Sequence, residues 1–421
     1  MKRLLILGAS FMEIEIVKEA QRKEIYTIVT DNNKDRLLSP AKNVADEVWD
    51  VSWSDIETLK KLSIEHDVNG VMAGFSEKRV ICAQKLCEQL NLPFYAENSD
   101  LDIITDKVKF KQACIKSNVK IPKEYKIGDN IEFPVIIKPV DNGGGRGITV
   151  CDKVEEFNDA YDLAVSYSDS KEAVIEEYIV ADETMSYFVV ADGNIHLSAM
   201  CDRYMYYFGE GMAQLPIGYI YPSTHLNLLL KQENLNPFCE LIHNLNIKNG
   251  LIAFQSFVRD NDIIPFDPTF RLDGTMTYHI TEAINNVNVL SMLIDYSMDG
   301  SMGDDVHKET PNFNKNAFQL PILLTKGTIS KISGVDKISS LENVVHFYVQ
   351  KTVDDTMEKM ADFSQIFGRV HITVSSYEQL VKDIEFIYET IDVRDENDND
   401  MVIRIVKDDL LKKLKEYFCE D

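Results

Sequence analysis

The chain is 421 residues long, 45% hydrophobic, and bears 44 basic against 69 acidic side chains, for a net charge of −25 and a pI near 4.7. Such a length suits about two to four domains of ~100–200 residues. So acidic a surface argues against polyanions such as nucleic acid or anionic lipid as partners, while leaving room for a locally basic nucleotide pocket.

The start, Met1-Lys-Arg-Leu-Leu-Ile-Leu-Gly8, carries an apolar run too short for a signal-peptide core, and acidic Glu13 and Glu15 follow soon after. No apolar run approaches the ~20 residues that span a bilayer. The seven cysteines are scattered, and even Cys82 and Cys87 match neither zinc nor thioredoxin spacing. Reduced thiols in a cytoplasmic protein are the expectation.

Residues 1–97 alternate strand and helix patterns. Leu4–Leu7 reads as a buried strand, Met12–Arg22 as an amphipathic helix, and Tyr26–Asp31 and Glu47–Val51 as further strands. A helix over Leu59–His66, a strand over Gly70–Gly74 and a helix over Val80–Leu90 complete the unit. Short apolar strands between helices predict a parallel, Rossmann-like sheet. Only Gly8 remains of a dinucleotide fingerprint, so NAD is not expected here. Gly74-Phe-Ser-Glu77 lies where a substrate would meet the strand ends, and an N-cap by Ser76 is the equally weighted alternative.

A second unit begins near Asn98. A helix runs from Asp106 to Lys116, and then comes Phe133-Pro-Val-Ile-Ile-Lys138-Pro-Val-Asp-Asn-Gly143-Gly-Gly-Arg-Gly147-Ile-Thr-Val-Cys151. This is a strand ending in lysine, a glycine loop, and a second strand. Gly143, Gly144, Gly145 and Gly147 remove the Cβ atoms that would hold the backbone off a ligand, and bare N–H groups in such a loop suit phosphate. Lys138 and Arg146 flank it with positive charge. In the Walker arrangement the lysine follows the glycines and a helix starts at once. The order here predicts a hinged hairpin over a triphosphate, with a ligand-free hairpin turn as the alternative.

Further along, a helix over Val154–Ser166 and a strand over Ala173–Val180 are expected, and Asp192-Gly193 marks a hairpin. Residues 204–221, rich in Tyr, Phe and Gly without evident period, predict a long loop over a site. Tyr204, Tyr206, Tyr207 and Phe208 would line a pocket or pack within their own domain. Phe238–Asn246 reads as a helix, and Leu251–Arg259 and Ile263–Asp267 as paired strands. His196, His243 and His279 show no ligand spacing and read as structural. From about 313 onward, short strands precede a helix over Ser376–Thr390, an acidic turn over 395–400 and a final helix from Asp408, without a chemical motif.

The motif order from Lys107 to Arg271 resembles the ATP-grasp superfamily, particularly its biotin carboxylase and carbamoyl-phosphate synthetase-like branch. The resemblance implies an α/β and α+β multidomain protein: a Rossmann-like preATP-grasp domain over 1–97, a two-lobed ATP-grasp domain over 98–312, and a small β-rich C-terminal domain over 313–421. It implies that Lys107 and Lys138 contact ATP and that Asn142–Gly147, including Gly143, Gly144, Gly145, Arg146 and Gly147, forms a phosphate lid. Glu176-Glu177-Tyr178-Ile179 is similar to the adenine linker, with the Glu177 carbonyl taking the 6-amino proton and the Ile179 N–H reaching N1. Glu183 matches the carboxylate that holds the ribose hydroxyls. Taken alone, Glu176 and Glu183 would read as exposed strand-end charge.

Gln255, Asp267 and Thr269 fall on the family's metal positions, and Arg271 where an arginine steadies an acyl phosphate. Only Asp267 offers the charged oxygen magnesium prefers, and Asp273 or Glu282 are the available substitutes. The resemblance therefore implies a divergent ATP-dependent ligase, with ATP and Mg2+ (or Mn2+) as cofactors. It would activate a carboxylate as an acyl phosphate and pass it to an amine, with Arg271 and Lys138 as the catalytic pair. A nucleotide-binding regulatory protein and a biotin-carboxylase-like or carbamoyl-forming enzyme are the alternatives. The aromatic 204–221 segment lacks the polar pattern expected around bicarbonate. Small-molecule partners are implied, and homodimers are common among the related carboxylases.

Overall fold

The computed structural model describes residues 1–141, 147–209, 214–405 and 408–419. The N-terminal sheet is four parallel strands in the order Glu47–Trp49, Tyr26–Thr30, Arg3–Leu7, Gly70–Met72. Leu4, Leu5, Ile6 and Leu7 are all fully buried, as a strand covered on both faces requires. The helix Phe11–Arg22 starts with a capping box: the Ser10 hydroxyl accepts from the Met12 N–H at 3.3 Å, and the Glu13 carboxylate accepts from the Ser10 N–H at 2.8 Å. The helix Glu77–Leu90 begins at Ser76, whose side chain makes no capping hydrogen bond. Ser76 thus holds the N-cap position that one reading gave it, without the side-chain bond, and the strand leads into the helix through Phe75, at φ +54°, whose N–H donates to the Leu272 carbonyl at 3.1 Å.

A second four-stranded sheet is antiparallel, in the order Glu124–Tyr125, Ala173–Glu177, Val135–Pro139, Thr149–Cys151. Helix Phe157–Tyr167 covers it over a small core that includes Val135, Ile137, Ala160 and Ile175. The glycine loop connects two paired strands here, and residues 142–146 lie outside those described. Gly147 closes the loop at φ +75°, where an added Cβ would stand 2.7 Å from the Tyr167 side chain, so a bulkier residue is refused twice over.

The largest sheet has nine strands among the described residues. Its path runs Asp262–Phe270, Gly250–Arg259, Asp182–Ala191, Asn194–Tyr207, Gln214–Tyr221, Asn316–Leu324, Ile366–Val374, Val344–Val349, with Val402–Ile403 pairing on the side. Tyr219 pairs with Gln319, so one ladder joins residues on both sides of position 313. A three-stranded sheet of Thr356–Met357, Gly327–Ser333 and Asp392–Asp395 lies beyond.

The loop expected over 204–221 is instead mostly strand: Asn194–Tyr207 and Gln214–Tyr221 form an antiparallel pair, with 210–213 outside the described residues. Tyr204, Tyr206 and Phe208 point to one side and pack on the C-terminal core, whereas Tyr207 is 56% exposed. The alternation was there, but aromatic residues occupy both faces, so hydropathy shows no period. A register shift between Tyr204 and Met205 blurs it further.

Candidate active site

Lys138 ends the strand Val135–Pro139, and Glu176 sits diagonally opposite on Ala173–Glu177, because Ile136 pairs with Glu176 and Lys138 with Val174. The diagonal puts both side chains on one face. Their contact is a buried ion pair, Nζ to Oε2 at 2.5 Å, and Lys111 Nζ reaches the other Glu176 oxygen at 2.5 Å. Glu176 is only 2% exposed, which corrects the exposed strand-end reading of its isolated charge. Burial pushes its carboxyl up, but Lys138 and Lys111 together bring it below the ordinary carboxylate range.

Lys107 opens the helix Lys107–Lys116, one turn before Lys111 on the same face. Burial lowers its ammonium, against which the Asp267 charge acts. Asp267 is the convergence point. Burial raises its carboxyl, Glu77 adds to the rise, and Lys107, Lys138 and Arg271 oppose it. Three cations from separate segments thus act on one carboxylate.

Asp267 pairs directly with Gln255 across the two outer strands, and Thr269 follows two residues later on the same face. The Thr269 hydroxyl is buried and makes no hydrogen bond. Of the two expected substitutes, Asp273 accepts from the Tyr187 hydroxyl at 3.3 Å and from Thr275, and Glu282 accepts from Asn288 at 3.0 Å. Arg271 Nε donates to Glu77 at 2.7 Å and its guanidinium donates to the Leu272 carbonyl at 2.8 Å.

The 176–179 segment is held from behind. The Glu177 carboxylate takes Arg259 at 2.8 and 3.1 Å and the Lys123 N–H at 2.8 Å. The Arg259 hydrogen bond outweighs burial and holds its pKa down. The Tyr178 N–H donates to the Pro134 carbonyl at 3.1 Å, and Ile179 is buried. Glu183 pairs with Arg203 at 2.6 Å, both largely buried, so its exposed reading is corrected too. Burial raises the Glu183 carboxyl and Arg203 opposes the rise. Gly143, Gly144, Gly145 and Arg146 lie outside the described residues.

Sequence reading missed Lys111, Arg203 and Arg259, and it placed Glu77 in a substrate-facing segment without its pairing to Arg271. Lys111 was findable, since an i+4 lysine after Lys107 shares its face. The other partnerships cross sheets or strands and carry no local signal.

Residues 103–206 match the family described as carbamoyl-phosphate synthase L chain, ATP binding domain. The chain has the fold of the L-amino acid ligase from Bacillus licheniformis, with a TM-score of 0.77 at 16% identity, covering 94% of this chain and 99% of that one. The biotin carboxylase domain of Hydrogenobacter thermophilus 2-oxoglutarate carboxylase, solved with MgADP, ADP and bicarbonate, also superposes at 0.77, with 15% identity over 96% of this chain and 91% of that one. Residues 103–206 thus resemble an ATP-binding domain of this family, and the chain shares the fold of these ligases and carboxylases.

Staphylococcus aureus pyruvate carboxylase is 23% identical over 308 residues, 66% of this chain. The match spans 26% of that carboxylase. Lys107 on a helix, Lys138 on the small antiparallel sheet, and Asp267 and Arg271 at the edge strand of the long sheet act on one another, and no helix among the described residues is long and apolar enough to cross a membrane.

Proposed function

We propose that this ATP-grasp chain is an ADP-forming carboxylate–amine ligase, with Lys107, Lys138 and Arg271 as the electrostatic frame around the phosphates. The supporting observation is the convergence of those three cations on Asp267 at the edge of the long sheet. A carboxylate oxygen attacks the γ-phosphorus of ATP, the bond to the β-phosphate oxygen breaks, and ADP leaves. An amine nitrogen then attacks the acyl carbon, phosphate departs, and the amine loses a proton. Phosphoryl transfer of this kind depends on positioning and charge neutralisation, so no side chain need be a nucleophile. Lys138 and Lys107 neutralise phosphate oxygens, Arg271 orients the acyl phosphate, and Glu183 takes the ribose hydroxyls. The strand edge at Glu177–Ile179 offers adenine a carbonyl and an N–H.

The donor set of Asp267, Gln255 and Thr269 fits one Mg2+, since magnesium is held by one or two carboxylates with waters and phosphates completing its shell. The unpartnered Thr269 hydroxyl is consistent with that use. When bound, the ion would neutralise charge on the nucleotide's phosphate oxygens. Residues 1–97, 98–312 and 313–421 serve as preATP-grasp, ATP-grasp and C-terminal domains in this reading, in a cytoplasmic protein, with Mn2+ as a substitute ion and a homodimer as the expected assembly.

The test is ADP release in the presence of pooled carboxylates and amines, read with mass spectrometry of the product. Release that requires both pools supports the ligase. The single carboxylate at the metal position favours one competing reading, a nucleotide-binding regulator, for which ATP binds but no pool stimulates ADP release. Bicarbonate-dependent release would instead identify a carboxylase or carbamoyl-forming enzyme.

A further inference from the structure

The histidine read from sequence as structural, His279, sits in a group that nucleotide chemistry does not use. It lies on the helix Tyr278–Asn285, facing Glu15 of the helix Phe11–Arg22 and His346 of the strand Val344–Val349. The ligand atoms of these three side chains all lie within 4.8 Å of one another. Glu15 Oε2 is 3.1 Å from His279 Nε2 and 3.6 Å from His346 Nε2.

The two imidazoles stack with ring centroids 3.9 Å apart and planes at 25°, closer and more parallel than two imidazoles on one tetrahedral ion, so ligation turns the rings apart from this stack. One contact is a hydrogen bond. The other is too long to be one, and His346 Nε2 is buried without a hydrogen-bond partner. An orphaned imidazole nitrogen beside a carboxylate is an unusual thing to bury.

Its geometry has a simple use. Tetrahedral zinc binds imidazole nitrogen and carboxylate oxygen at about 2.0–2.2 Å, which sets neighbouring ligand atoms about 3.3–3.5 Å apart. The two separations here straddle that value. Lys18, one turn along the same helix, is the opposing charge nearby. The side chains are 11–26% exposed, so an ion has a way in.

We propose that Glu15, His279 and His346 form a site for one divalent cation of the zinc class, with water in the fourth position. The ion staples the N-terminal parallel unit, the helix after the long strands, and the far edge strand of the nine-stranded sheet. None of its ligands belongs to the nucleotide site, so it stands whether or not the ligase reading does.

Metal-free full-length protein is titrated with Zn2+ against a chromophoric chelator, and Co2+ absorption is recorded in parallel. The expected result is one equivalent bound with Kd below about 1 μM, and visible cobalt bands without a thiolate charge-transfer band. His346→Gln and His279→Gln each weaken binding at least about 100-fold, and Asp267→Asn keeps the equivalent. Equimolar Zn2+ raises the melting temperature of the parent and not of His346→Gln. Should a histidine variant fail to fold, the isosteric Glu15→Gln, expected to weaken binding at least about tenfold, decides instead. Absence of a stoichiometric site, or equal binding in the parent and in a folded variant of these three residues, overturns the proposal.

Discussion

Glu77 and Arg271 meet 194 residues apart in sequence, the Arg271 Nε donating to Glu77 Oε1 at 2.7 Å, and tie the first helix after the parallel sheet's last strand to the end of the outermost strand of the long sheet. The pair orients the guanidinium, and its carboxylate also acts on Asp267, which burial first and then Glu77 push upward. Replacing Glu77 by Gln removes that negative charge, so Asp267 ionises at lower pH. The acid limb of the kcat/KM profile shifts to lower pH in Glu77→Gln. The plateau falls about tenfold as Arg271 loses its tether. A limb that stays put, measured by steady-state ADP release from pH 4 to 8, contradicts the assignment of Asp267 to the reacting site.

Lys138→Ala should abolish ATP consumption, by at least about 100-fold, yet leave the fold intact. Glu176 keeps its second partner, Lys111, at 2.5 Å, so no bare charge is buried. Lys138→Ala/Lys111→Ala removes both and costs about 3–5 kcal/mol, since a buried carboxylate is then unpaired. Urea unfolding followed by circular dichroism separates the two effects. Near-normal turnover in the single variant removes Lys138 from the mechanism.

Glu183→Gln isolates a second pair. Arg203, 7% exposed in its side chain, would lose its carboxylate, and a stranded buried cation destabilises by about 3–5 kcal/mol. ATP affinity falls as well if Glu183 holds the ribose. Adding Arg203→Met recovers stability without recovering affinity. Calorimetric titration with ATP and thermal melts report the two quantities, and affinity that follows stability in all variants would reduce Glu183 to a structural role.

Glu309 predicts a pH dependence of stability. Burial raises its carboxyl to about 7, opposed by the Ser198 hydroxyl, which donates to it at 2.7 Å. From about pH 4.5 to 7 the unfolded chain releases a proton that the folded chain keeps, so stability declines across that window. Glu309→Gln has nothing to ionise and still accepts from Ser198. It should match the parent near pH 4 and exceed it at pH 8 by on the order of 2 kcal/mol. Urea midpoints at the two pH values test this, and equal midpoints at both would contradict it.

How much of this was legible beforehand follows from how local each signal is. The parallel unit could be read because its strands carry short apolar runs and its helices follow at short range. The lysine-ended strand and glycine loop could be read because the relevant residues are neighbours in the chain. The hairpin at Asp192-Gly193 was equally plain, but its consequence was not. Ala191 pairs with Asn194, a register that would set Glu183 opposite Asp202, and the shift between Leu197 and Ala199 brings Arg203 there instead. A one-residue slip turns every side chain to the other face, and hydropathy in a strand buried on both faces carries no mark of it.

Order and spacing along the chain therefore indicated the kind of fold: an acidic α/β chain whose Lys107, Lys138, glycine loop and Glu183 resemble the ATP-grasp order. Only the folded molecule decided which charges face which. Glu77 with Arg271, Glu176 between two lysines, and Glu15 with His279 and His346 are each assembled from segments far apart in sequence. Such contacts depend on sheet register and on the docking of separate units, and both are set by the sum of many weak packing interactions rather than by any short run of residues.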